Sequence, residues 1–172
     1  MAQEALGRTF DISTGFVPVD MQTATNTGKR VRLYHSTQLT IVMFKAAGTA
    51  GDDPVLTLQQ HTAASGGTTA NLAIIDHYHY KAATTLAGTE TWTTVTQTAS
   101  QTITDPGGLG TSAETQMILV IPVGAPKLSD GYAYVSLNVA DVGGNAQLGS
   151  VLYFLSELQV QRKPANLVAP LS

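Results

Sequence analysis

Towards its C-terminal end the chain reads Tyr132-Ala133-Tyr134-Val135-Ser136-Leu137-Asn138-Val139, between the turn residues Ser129-Asp130-Gly131 and Gly143-Gly144-Asn145. Successive side chains of an extended strand point to opposite faces. Ala133, Val135, Leu137 and Val139 therefore share one side, and Tyr134, Ser136 and Asn138 the other. Alternation over this length, closed at both ends by turn chemistry, specifies a half-buried antiparallel strand with its aliphatic set inward. Once this stretch is a strand, its neighbours must supply the sheet it pairs with and the layer it packs on.

Those neighbours are legible outward from it. Leu148–Val160 places Leu152, Phe154, Leu158 and Val160 on one face and Tyr153, Glu157 and Gln159 on the opposite one. Met117–Val123 is continuously apolar, the pattern of a strand buried on both faces. Val31–His35, Leu39–Lys45, Val55–Thr62, Leu72–Tyr80 and Glu90–Thr98 are β-branched, apolar or aromatic, and Gly48–Asp53, Ser65-Gly66-Gly67 and Asp105-Pro106-Gly107-Gly108 separate some of them. Eight such segments at this spacing predict an all-β fold, a single antiparallel β-sandwich of the jelly-roll kind. Residues 31–161 form the predicted sandwich. Residues 1–30 read as an extended N-terminal arm without persistent period, and residues 162–172, with Pro164 and Pro170, as an extended C-terminal tail.

Composition supports this reading and narrows function. Of 172 residues, 24 are Thr, 21 Ala and 16 Gly, a mixture poor in helix formers. Charged residues are 12% of the chain, about half the usual share. The net charge of −3 offers nothing to neutralise a phosphate backbone, so nucleic acid is not an expected partner. The chain has no cysteine, which excludes disulfides, thiolate metal sites and a Cys nucleophile. No apolar run is long enough to span a membrane as a helix. The first residues lack a basic region followed by an apolar stretch, so synthesis and folding in the cytoplasm of a cell are expected.

Threonine on the open face of a strand keeps β-propensity without charge, and such a face is covered by another chain at little desolvation cost. The low charge therefore predicts a surface buried in an assembly. The arm carries Phe10, Ile12, Phe16, Val17 and Met21, more apolar area than a solvated terminus holds, and the tail carries Leu167, Val168 and Leu171. Each segment either returns over its own sandwich or reaches onto a neighbour. Phe10, Phe16, Val17, Arg162 and Lys163 are the candidate contact residues for the second case.

Chemistry has thinner support. In Asp76-His77-Tyr78-His79-Tyr80 the two histidines project from one side of a strand, while Tyr78 and Tyr80 project inward. A metal there needs a further ligand, from His35, His61, a carboxylate or a neighbouring subunit, and no metal or cofactor is expected. The acids of Gly51-Asp52-Asp53-Pro54 and Asp105-Pro106-Gly107 lack the spacing of a calcium loop and suit turns for local reasons. No strained Gly-x-Ser-x-Gly elbow or Gly-rich phosphate loop is present, so no catalytic residue is assigned and no enzyme is expected. Trp92 is expected in the core, although with the tyrosines it leaves a β-sandwich carbohydrate-binding module as an alternative.

The stretch from Asp130-Gly131-Tyr132-Ala133-Tyr134-Val135-Ser136-Leu137 through Asn145-Ala146-Gln147-Leu148-Gly149, with Val151-Leu152-Tyr153-Phe154-Leu155 and Gln161-Arg162-Lys163-Pro164, resembles small virion structural proteins of tailed bacteriophages. The resemblance covers about residues 130–164 and extends elsewhere only as texture. It implies a capsid decoration (cement) protein on the virion surface that bridges major capsid protein subunits. It also implies a homo-oligomer, with a trimer favoured by analogy, and carries no catalytic residues. A tail or connector component is the alternative within the same class.

Overall fold

The computed structural model describes residues 4–108 and 110–170. It contains eleven strands among these residues: β1 (Phe10–Asp20), β2 (Val31–Arg32), β3 (Ser36–Lys45), β4 (Val55–His61), β5 (Thr69–Asn71), β6 (Ile75–Ala83), β7 (Thr93–Ser100), β8 (Thr102–Thr104), β9 (Gln116–Gly124), β10 (Tyr134–Val139) and β11 (Leu148–Leu158). They form two antiparallel sheets, as the sandwich prediction requires. The first runs β1-β11-β3-β9-β6-β7 and the second β2-β10-β4-β5, with β8 also paired to β4. Thus β11 lies between β1 and β3, and β10 lies between β2 and β4.

The inward faces make one core. Leu39, Ile41 and Met43 of β3, Leu119, Ile121 and Val123 of β9, and Val151 and Tyr153 of β11 are fully buried, as are Leu56 and Leu58 of β4 and Val135, Leu137 and Val139 of β10. Each aliphatic side chain so placed contributes roughly 1.5–3 kcal/mol. Tyr153 adds a polar tie, because its hydroxyl accepts the backbone N–H of Leu137 at 3.0 Å. Burial holds its phenol well above the ordinary tyrosine pKa. The alternation of Val135, Leu137 and Val139 is as the sequence indicates. On β9 the expectation of burial on both faces is corrected: Met117, Leu119, Ile121 and Val123 are buried, Ile118 and Val120 only partly so, and Pro122 is exposed.

The N-terminal segment is not irregular. Residues Phe10–Asp20 form β1 and pair with β11 from Phe10↔Ser156 to Asp20↔Leu148, with register shifts around Phe16. Gly15 and Pro18, which read as breakers in the sequence, sit where an edge strand tolerates them, at a bulge and on an outer rim. From Met21 the chain closes one side of the sandwich. Met21 is fully buried, Asn26 bridges Val139, and the Lys29 N–H donates to the Gly15 carbonyl at 2.7 Å. The tail also returns to its own domain, with Arg162 N–H on the Gly7 carbonyl and Arg32 N–H on the Pro170 carbonyl, both at 2.8 Å.

Candidate functional site

The strand registers set the outer face of the first sheet in rows. Thr14, Leu152, Val42, Val120, His79 and Thr94 lie side by side across β1, β11, β3, β9, β6 and β7. Ser150, Phe44, Ile118 and Lys81 form the next row, and Ile12, Phe154, Thr40 and Pro122 the row on the other side. No outward position of β1, β11, β3 or β9 in these rows is charged. Several large apolar side chains stand in solvent: Val17 at 61% exposure, Leu148 at 58% and Phe44 at 53%, with Ile12 and Leu152 near 40%. Four strands about 4.8 Å apart and about 25 Å long give this mainly apolar band a footprint of roughly 400–500 Å², the size of the largest patch on an ordinary monomer, and such patches are often functional.

The candidate contact residues divide on this frame. Phe10 lies on the open face, its ring 6.1 Å from that of Phe154, and Val17 projects from the bulge of β1. Phe16 does not share their surface: it is in the core against Val151, because the register shift turns it inward. Arg162 and Lys163 are exposed at a different place, beside Glu4, Leu6 and Arg8. Phe44, Leu148 and Leu152 are the surface residues that sequence reasoning missed. Their strands are apolar on both faces, and period-two arithmetic cannot say which apolar set faces water.

The outer face of the second sheet is occupied by its own hydrogen bonds. Asn138 donates to the Gln59 side-chain oxygen at 2.8 Å, Gln59 donates to Asn71 at 3.2 Å, and the Gly28 N–H reaches the Asn138 oxygen at 2.9 Å. His61 is buried between Thr69 Oγ1 and Ser136 Oγ, each 2.9 Å from a ring nitrogen. Burial, aided by the nearby Arg30 guanidinium, lowers its pKa to about 4. A neutral imidazole suits this setting, one nitrogen donating and the other accepting. The Ser–His spacing matches that of a nucleophile and its base, but Ser136 is only 1% exposed and so is closed to a substrate.

The remaining chemical candidates are placed as follows. Tyr78 is buried, and the rings of His77 and His79 lie 5.5 Å apart on the open face. Neither His35 nor His61 comes to them: His35 packs on Tyr34, and His61 is on the other sheet. No group of three or more metal-ligating side chains occurs among the described residues. Asp53 accepts the Ser112 hydroxyl at 2.5 Å and the Ala113 N–H at 2.9 Å, Asp52 accepts two bonds from Asn145, and Asp105 accepts the Gly110 N–H. These acids tie loops. Lys45 is buried at the end of β3, with Nζ on the carbonyls of Ala46, Ala113 and Thr115. Its pKa falls to about 8 because desolvation outweighs the attraction of Asp53 and Glu114.

Trp92 contradicts its expected place. It is half-exposed, with the Lys81 ammonium 4.9 Å from its ring centre, because it precedes β7 at the sheet margin, where no second layer covers it. A cleft between the tail and β11, lined by Tyr34, Leu158, Leu167 and Val168, has room for only a few water molecules. No helix among the described residues is long and apolar enough to cross a membrane. Comparison with protein families, with curated proteins and with solved structures finds no match for this chain.

Proposed function

We propose that this chain is a structural subunit of a larger particle, a capsid decoration protein of the kind its C-terminal third resembles, acting through contact rather than catalysis. The observation that carries the reading is the uncharged band across β1, β11, β3 and β9 on the outer face of the first sheet, with Val17, Phe44, Leu148 and Leu152 in solvent. Such a face is stable when another surface covers it. A specific interface buries about 800 Å² per partner, so this band supplies its dry centre and the surrounding Thr and Gln residues its rim. Many copies on one particle add modest contacts through multivalency, and the major capsid protein is the partner. Virion placement follows from the same reading. The interleaving of β11 between β1 and β3, and of β10 between β2 and β4, supports the jelly-roll topology.

The test is sedimentation with phage heads assembled without this chain. Wild-type protein co-sediments with the heads at saturating stoichiometry, whereas Phe44→Lys combined with Leu152→Lys remains in the supernatant. Equal binding by both proteins overturns the face as the contact, and absence of wild-type binding overturns the capsid reading. A second reading, a carbohydrate-binding module, is favoured only by the exposed Trp92. It predicts glycan-array binding that Trp92→Ala removes.

A further inference from the structure

We infer that His77 and His79 form a two-histidine chelate for a borderline-soft divalent transition metal such as Zn²⁺. They are alternate residues of β6, so both rings leave the sheet on its open side. Each ring is also held by a different neighbour. His77 Nδ1 is 2.6 Å from Asp76 Oδ1, and His79 Nδ1 is 2.9 Å from Thr94 Oγ1. The Asp76 carboxylate only accepts, so it holds the proton on His77 Nδ1 and leaves the Nε2 lone pair free, while the Thr94 hydroxyl engages His79 Nδ1 and leaves its Nε2 without a protein partner. A carboxylate on the distal nitrogen, as Asp76 is on His77, is a usual outer-shell arrangement of a metal-bound histidine, and it raises ligand basicity.

The ring separation agrees with this arrangement. A Zn–N bond is about 2.0–2.1 Å, and the imidazole centre lies about 1.1 Å behind its nitrogen, so each ring centre stands about 3.2 Å from the metal. Two such rings at a tetrahedral angle have centres about 5.2 Å apart. The observed separation is 5.5 Å, with the planes at 71°. His79 pairs with Val120, which places an aliphatic wall beside the metal. Asp76 supplies a negative charge next to it, and the Lys81 ammonium, further along the same strand, is directed towards Trp92. No third metal-ligating side chain joins the pair among the described residues, so water supplies the further ligands. Two protein ligands make an exchangeable surface site rather than a structural one, and folding does not depend on it.

This inference is independent of the capsid reading, and its test needs no partner. Titration of the wild-type chain with ZnCl₂, followed by calorimetry, shows one Zn²⁺ per chain. His77→Gln and His79→Gln each weaken binding at least about ten-fold, and Asp76→Asn weakens it about ten-fold through loss of the outer-shell carboxylate. His35→Gln leaves binding unchanged. Cu²⁺ gives a second readout: the single tryptophan, Trp92, precedes the strand that pairs with His79, and its fluorescence is quenched in wild type but not in the double histidine variant. Zinc binding that survives both substitutions, that follows His35 instead, or that is absent from wild type below millimolar zinc overturns the chelate. Unchanged melting temperatures of the metal-free variants show that the fold is intact.

Discussion

The outer face of the second sheet and the outer face of the first arise from the same strand alternation, yet only one is complete within the chain. On the second sheet, Asn71, Gln59, Asn138 and the Gly28 N–H form a continuous amide row, and His61 links Thr69 to Ser136. On the first, the rows across β1, β11, β3 and β9 are mainly Thr, Val, Leu, Ile and Phe, whose side chains meet no covering layer, and His79 and Lys81 follow only on β6. Polar groups that bond one another close a surface, because their hydrogen-bonding capacity is already used. Apolar groups in water leave a surface open, because burial against any complementary partner still lowers free energy. The difference separates residues that stabilise the fold from residues available for assembly.

The largest expected effect belongs to the closed side. Gly28 lies so close to β10 that an added Cβ would meet the Leu137 carbonyl oxygen at 2.1 Å and the Tyr153 hydroxyl at 2.8 Å. Neither group can move without breaking the contact between the sheets. Gly28→Ala should lower unfolding free energy by about 3–5 kcal/mol in urea denaturation. A loss below about 1 kcal/mol would show that the 21–30 segment is not a fixed part of the sandwich.

The open side should respond in the reverse sense. Phe44→Lys with Leu152→Lys should weaken attachment to the particle about one hundred-fold while stability stays within about 1 kcal/mol of wild type. Equal loss of stability and binding would mean that the face supports the fold itself.

His61 sharpens the contrast through pH. Its folded pKa, about 4, lies below the unfolded value of 6.5, so the unfolded chain binds more protons between those values. Stability should therefore fall as pH drops from 6.5 through 4, by on the order of 2 kcal/mol, and His61→Gln should flatten that part of the profile in thermal melts. The smallest effect is expected from Gln59→Ala, which removes the centre of the amide row at about 1 kcal/mol without altering particle binding.

Legibility in the sequence followed how different the two sides of each strand are. β10 was readable because Val135, Leu137 and Val139 alternate with Tyr134, Ser136 and Asn138. β11 was readable as a strand but not as an orientation, since Val151, Tyr153 and Leu155 compete with Leu152 and Phe154 for the core. β1 was missed because Gly15 and Pro18 interrupt its period, and their role as bulge and rim residues exists only once β11 is beside them. The histidine pair was legible as two rings on one side of a strand. The engagement of Nδ1 by Asp76 and Thr94 was not, because Thr94 arrives from β7.

By itself the sequence determined that the chain is all-β, that its strands are antiparallel and layered, and that its surface carries little charge. Those properties are local: alternation, turn residues and composition act within a few positions of each residue. Tertiary structure decided which of two apolar sides faces water, that Phe16 is core while Val17 is surface, and that residues 10–20 and 162–170 close on their own domain. These outcomes depend on register between strands far apart in the chain, and a shift of one residue reverses every side chain of a strand.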